Sequence, residues 1–348
     1  MYRQVPCDPR EPESSLIRSI RHMQPCVLLA PRGAHRLLEK ASTVATAVGI
    51  PLIELELERS ATTNAGEGME EIDHIRFCLP AHGNATPPNE QSDTVLMLPT
   101  SGTTGEAKIV SFTLRRLLAA GAQLAISMGL STADVGINIG MPLHHVGGIA
   151  CNLMAPLISR GRMIFRSMFS ASEWLESIHS PLLLEAAQPT VTWCYAVPAM
   201  WRVIIRHVGR TETVPRHQLR LLRSGSAPLS HEDAMRLSQI FGCSVLPTYS
   251  MTECMPIASP PLDYQQQRPG SVGTAVGSLC IVIRKVGEEV EVAPGVVGEV
   301  TLMGGDQLFN GYEEQDRWSG YFRTGDLGRM DEDGWLYLSG RVREVRCE

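Results

Sequence analysis

Apolar positions recur along this chain in two rhythms, one of about 3.6 residues and one of two, and the rhythms take turns. Residues 13–22 and 34–48 carry the helical spacing. Between and after them, 25–30 (PCVLLA) is a continuous apolar run, and 51–57 (PLIELEL) alternates strictly, as strands do. A short apolar run at 95–98 reads as a buried strand. Ser111 or Thr113 then caps a helix running to about Leu130. Further strands are expected at 135–139, 162–166, 191–195, 220–223 and 244–247. Helices at 149–159, 172–179, 198–208 and 230–241 separate them. Strands that alternate with helices imply a parallel sheet. Past residue 270 the helical spacing fades. Short β-rich runs at 280–284, 298–303 and 335–339, divided by Gly/Asp turns, predict a small closing β-subdomain. Residues 60–69 read as a polar surface loop, and 80–92, rich in Pro, Asn and Gly, as a connection.

Composition narrows this picture. The chain has 348 residues, 43% hydrophobic and 20% charged, enough for one large domain or two smaller ones. A formal net charge of −6 argues against a nucleic-acid-binding surface. No apolar run approaches the about 20 residues of a membrane span, and the first residues lack the hydrophobic stretch of a secretory signal. The nine cysteines are scattered singly, without CxxC, and read as reduced, mostly buried thiols of an intracellular protein, cytoplasmic or peroxisomal. Neither HExxH nor a Cys/His cluster of ligand spacing is present, which disfavours zinc.

The densest chemistry follows the strand at 95–98. Thr100-Ser101-Gly102-Thr103-Thr104-Gly105 leads through Glu106-Ala107 to Lys108. Glycines let backbone N–H groups turn toward an anion, hydroxyls add donors, and the lysine adds a point charge, so the loop suits phosphate. A flexible linker would not be flanked so tightly by a strand and a helix. The loop is not a Walker A motif, because no Gly-Lys pair occurs in the chain. Downstream, Met141-Pro142-Leu143-His144-His145 precedes a helix, and Arg223-Ser224-Gly225-Ser226-Ala227-Pro228 joins a strand to a helix. Thr248-Tyr249-Ser250-Met251-Thr252-Glu253 follows the strand ending at Pro247, at the carboxyl end of a parallel strand where open α/β sheets place ligands. Tyr249 can stack on a base, Thr252 can donate to phosphate, and Glu253 is a hard oxygen ligand suited to Mg²⁺. Asp326 sits in a glycine-flanked turn, where aspartate is a common turn former. GxSxG is absent, which disfavours a serine hydrolase built on His145.

TSGTTGEAK resembles the signature loop of the adenylate-forming superfamily, which includes acyl-CoA synthetases, adenylation domains and luciferases. Ala107-Lys108-Ile109 stands where that family usually has Pro-Lys-Gly. PLHHVGG resembles the family's Pro-Leu-Phe-His segment, with His145 at the histidine bordering the acid. TYSMTE resembles the YGxTE motif, with Ser250 in place of glycine. YFRTGDLG and DGWLYLSGR resemble the segments whose aspartate and arginine hold the ribose, at Asp326 and Arg341. RSGSAPLS and PGSVGTAVG look most like fungal-type acyl-CoA and oxalyl-CoA synthetases.

The resemblance implies an α/β fold: a large adenylate-forming domain of stacked, mostly parallel sheets with helices, plus a small β-rich subdomain near the C-terminus. It divides the chain at 1–92, 93–278, 279–340 and a hinge stub, 341–348. It implies ATP, Mg²⁺ on Glu253, and CoA as second substrate, with Lys108, His145, Thr252 and Glu253 catalytic. The nucleotide would be held by Thr100 to Gly105, Ser226, Ala227, Pro228, Thr248, Tyr249, Ser250, Asp326 and Arg341. Partners would be a small carboxylic acid and CoA, or a phosphopantetheinyl carrier protein. Family members continue past the Gly-Arg hinge into a small lysine-bearing domain, so this chain is expected to bind ATP or AMP yet adenylate slowly and form thioester poorly. The acid pocket is expected around His145, 193–198, 225–228 and 248–255. No lone cation there marks a second acidic group, and Arg223 stands open between packing and that role.

Overall fold

The computed structural model describes residues 7, 11–23, 28–31, 35–49, 52–55, 94–100, 108–166, 168–179, 190–309 and 320–342. The chain divides into two compact units, Met1–Met97 and Leu98–Glu348. In the first, α1 (Glu13–Met23), β1 (Leu28–Pro31), α2 (His35–Val48) and β2 (Leu52–Leu55) follow in order, and β1 pairs with β2 in parallel. Leu16, Ile20 and Val44 form its small core, where the apolar stripes of α1 and α2 meet.

β3 (Thr94–Pro99) and β4 (Ile109–Thr113) form a two-stranded sheet that carries the chain into α3 (Leu114–Ser127). A strand therefore separates Lys108 from the helix, where sequence periodicity placed the helix directly. Of the two expected caps, Thr113 takes the position, its hydroxyl accepting the Arg116 amide at 3.3 Å. β5 (Val135–Ile139) leads to a π-helix (Gly147–Met154), α4 (Ala155–Ser159) and β6 (Arg162–Arg166). The expected helix at 149–159 is thus two segments, the first wound wider than an α-helix. Next come α5 (Ala171–Ile178), β7 (Trp193–Ala196), α6 (Pro198–Thr211), β8 (Leu221–Ser224), α7 (His231–Phe241) and β9 (Ser244–Pro247). Ser170 and Ser230 cap α5 and α7 through their hydroxyls, and Pro198 opens α6, where a missing N–H costs nothing.

These strands form a parallel sheet in the order β6-β5-β7-β8-β9. β7 shows how the period of two builds a core on each face. Cys194 and Ala196 join Trp174, Trp201 and Leu237 under α5, α6 and α7. Trp193 and Tyr195 join Leu124, Cys151 and Ala155 under α3, the π-helix and α4. Helices on both faces explain why these strands read as near-continuous apolar runs.

Beyond Pro247 the chain is antiparallel. β10 (Tyr249–Met251), β11 (Cys254–Ser259) and β12 (Thr274–Ala275) make one sheet. β13 (Leu279–Arg284), β14 (Gly298–Gly304), β15 (Phe322–Met330) and β16 (Leu336–Arg341) make another, in sequence order. Residues 249–253, expected as a loop, are a strand and a tight turn. Asp326, expected in a turn, lies within β15, where Gly325 takes φ +74°. Among the described residues no helix is long and apolar enough to cross a membrane.

Candidate active site

The carboxyl ends of β7, β8 and β9 lie side by side, and the loops leaving them are locked together. Thr248, just after β9, donates its amide to the Ser224 carbonyl at 2.8 Å and its hydroxyl to the same oxygen at 3.0 Å. Gly225 sits where a Cβ would come within 3.2 Å of Thr248 Oγ1 and of the Tyr195 ring, so a larger residue would press on both. Ser226 takes a left-handed φ of 66°, uncommon without glycine, and its hydroxyl lies 3.1 Å from Tyr195 Oη. Ser226, Ala227 and Pro228 are exposed at the mouth of this crevice.

From Thr248 the chain runs through β10 and turns at Thr252 and Glu253 into β11. Glu253 is 6% exposed, and its carbonyl accepts the Phe309 amide at 2.9 Å. Tyr249 is buried, and its hydroxyl donates to Asp326 Oδ2 at 2.5 Å. Asp326 faces Arg341 across β15 and β16, with Arg341 Nε 2.7 Å from Oδ1. Burial, and then the charge of Asp326, hold the Tyr249 phenol well above its ordinary pKa, so it stays a donor. A carboxylate oxygen accepts from more than one direction, so Asp326 retains acceptor capacity toward a diol while bound on both sides. The Tyr249–Asp326 bond spans 77 residues, and no local pattern announces it.

Lys108 stands where β3 and β4 come together, its carbonyl accepting the Thr100 amide at 2.8 Å. These two residues fix both ends of the glycine- and hydroxyl-rich loop. Ser101, Gly102, Thr103, Thr104 and Gly105 lie outside the described residues. His145 is exposed just before the π-helix, its ring centroid 4.5 Å from that of His144. Gly147 abuts the Tyr195 hydroxyl, and Gly148 abuts the Pro142 carbonyl. The start of the π-helix thus packs between Tyr195 and the Pro142 end of the His145 loop. Ser250 is half-buried on β10.

The chain matches the AMP-binding enzyme family over residues 2–313. It belongs to that family. A sulfoacetate–CoA ligase from Cupriavidus necator is 33% identical over 278 residues, covering 77% of this chain and 52% of the ligase. An oxalate–CoA ligase from Arabidopsis thaliana is 33% identical over 266 residues, covering 74% of this chain and 50% of the ligase. The chain spans about half the length of these curated relatives. A solved malonyl-CoA ligase, a ternary product complex with methylmalonyl-CoA and AMP, superposes with a TM-score of 0.75. It covers 97% of this chain and 66% of that one at 24% identity, and so shows the shared fold.

An AMP-binding enzyme that handles Mg²⁺ on nucleotide phosphates needs one or two carboxylates, not a full protein cage. Among the described residues no group of three or more His, Cys, Asp or Glu could hold a metal, and Glu253 offers one buried carboxylate beside Thr252. That donor set fits an ion carried mainly by substrate phosphates.

Proposed function

We propose that this chain binds ATP and a small carboxylic acid and promotes their union as an acyl-adenylate. In that step a carboxylate oxygen attacks the α-phosphorus in line, the bond from that phosphorus to the bridging oxygen breaks, and pyrophosphate leaves with the electron pair. In the whole protein the acyl group then passes to the thiol of CoA, the alternative acceptor being a carrier-protein thiol. The single observation that carries the reading is the Asp326 carboxylate held between Tyr249 and Arg341 at one end of the parallel sheet. A carboxylate so placed can accept the hydroxyls of a ribose diol.

Little covalent work falls to the side chains; positioning and charge neutralisation do most of it. Thr252 donates to the α-phosphate, and Lys108 balances phosphate charge at the mouth of the loop from Thr100. Mg²⁺, when bound on Glu253, supplies further neutralisation of the phosphates. His145 borders the acid. The two ligases named above act on sulfoacetate and oxalate, each with a second acidic group beside the carboxylate, and this supports a short acid of that kind.

Titration calorimetry of the chain with ATP and AMP tests the reading. Both are expected to bind, and Asp326→Ala to weaken AMP by about 10- to 100-fold, the worth of hydrogen bonds to a charged group. No heat with either nucleotide would sink it. ATP–pyrophosphate exchange with sulfoacetate or oxalate then reads the first half-reaction directly.

A further inference from the structure

β15 is not a regular strand where it carries Asp326. Its pairing with β14 sets Arg323 opposite Thr301 and Leu327 opposite Glu299. Val300 alone therefore stands against Thr324, Gly325 and Asp326, and Gly325 supplies the left-handed φ of +74° that this bulge needs. A bulge disrupts the backbone ladder, and here one side chain makes good the loss. The Thr324 hydroxyl donates to the Val300 carbonyl at 2.8 Å and accepts the Asp326 amide at 3.1 Å. The same hydroxyl contacts the Tyr249 phenol, which donates to Asp326 Oδ2 at 2.5 Å. Thr324, Asp326 and Tyr249 thus close a buried ring, with Asp326 held by its amide on one side and by its carboxylate on the other. Outside the ring, Arg323 is the last regularly paired residue before the bulge. Its guanidinium donates to Glu299 at 2.7 Å and Glu289 at 2.9 Å, which keeps the bulge from sliding along β14.

The direction of the Asp326 carboxylate depends on where the bulge sets its backbone, and a binding group must be held to about 0.5 Å to make its hydrogen bonds. We infer that Thr324 is a positioning residue for the nucleotide: its hydroxyl fixes the Asp326 backbone and so aims the carboxylate at the ribose hydroxyls. Thr324 acts through Asp326 alone. Its single proton already goes to the Val300 carbonyl, so it has none to give the nucleotide. Packing would ask only for the shape of this side chain, and valine has that shape with an equal fitness for strands. What valine lacks is the oxygen that joins Val300, Asp326 and Tyr249. This inference rests on the adenylation reading and names the residue that orients its ribose contact.

The test is calorimetry on the full chain with AMP and with 2′,3′-dideoxy-AMP, which lacks both ribose hydroxyls. Thr324→Val is expected to weaken AMP by about tenfold, the worth of a hydrogen bond. Dideoxy-AMP is expected to bind wild type and variant alike, because it has no hydroxyl for Asp326 to accept. Thr324→Ser keeps the oxygen and should restore AMP binding. An equal loss with both nucleotides overturns the inference, since a merely structural residue would disturb them together. AMP binding unchanged in Thr324→Val overturns it too, as does a Thr324→Ser no better than Thr324→Val. Should Thr324→Val fail to fold, Thr324→Cys, which puts a weak donor and acceptor in the same place, carries the same comparison. Failure of AMP to bind the wild type overturns the adenylation reading and this inference with it. AMP binding without the difference between the two nucleotides overturns this inference alone.

Discussion

His217 precedes β8 by a few residues, and its Nδ1 accepts the Leu219 amide at 3.3 Å while its ring lies 5.7 Å from that of Phe241. The first contact needs an imidazole whose Nδ1 carries no proton. Burial accordingly lowers its pKa below the ordinary 6.5. Between the lowered folded value and the unfolded one, the unfolded chain binds more protons, so stability rises with pH in that window. The contribution is complete above about 6.5 and is lost as pH falls through the folded value. Urea denaturation should therefore give a lower midpoint at pH 5.5 than at pH 7.5. His217→Asn should shrink that gap, and an equal gap in both proteins would remove His217 as its source. Asp134 carries a related dependence at lower pH. Its burial alone would raise the carboxyl, but hydrogen bonds from Arg220, Ser131 and Thr192 outweigh this and hold it below the usual range.

Among the elements, the π-helix bears most directly on the candidate site. Its wide winding brings Gly148 against the Pro142 carbonyl, the same oxygen that accepts the His145 amide at 3.3 Å. A methyl group there meets the backbone of Pro142 and Leu143, so Gly148→Ala must push that loop away. About 1–3 kcal/mol of destabilisation is expected from such overpacking, read as a lower urea midpoint. An unchanged midpoint would mean that the loop yields freely and that the π-helix does not position it. No sequence pattern separated this element from an α-helix, since the apolar face is nearly the same in both. Where one period governed a segment the elements were legible. β5, β6 and β9 lie at the residues their apolar runs marked, and Ser230 and Pro198 marked the starts of α7 and α6. Where charges and glycines break the alternation they were not. β15 reads FRTGDLGRM, and Gly325 within it adopts a turn-like φ inside a continuous strand. β4 was hidden because its few residues merge into the helix that follows. The site segments were legible as motifs, but their contacts were not, since register across β15 and β16 decides that Asp326 meets Arg341.

On the scale of the whole second unit, one buried contact joins two separate antiparallel sheets. Tyr249 lies on β10, just past the parallel sheet, and Asp326 belongs to the four-stranded sheet near the C-terminus. The bond between them is buried, and it runs to a charged acceptor. Tyr249→Phe keeps the ring and its packing, so the variant removes only what the hydroxyl bonds, Asp326 first among them. A hydrogen bond to a charged group contributes about 1.5–3 kcal/mol, and the variant should lose an amount in that range in urea denaturation. Nucleotide changes the comparison. A ligand at 100 times its dissociation constant stabilises the folded state by about 2.7 kcal/mol. Ribose hydroxyls donating to Asp326 would replace the donor that the phenol supplied. AMP is therefore expected to stabilise Tyr249→Phe by at least as much as it stabilises the wild type. Stabilisation lost in Tyr249→Phe would instead mean that the phenol itself binds the nucleotide, and that its bond to Asp326 matters only when the site is empty.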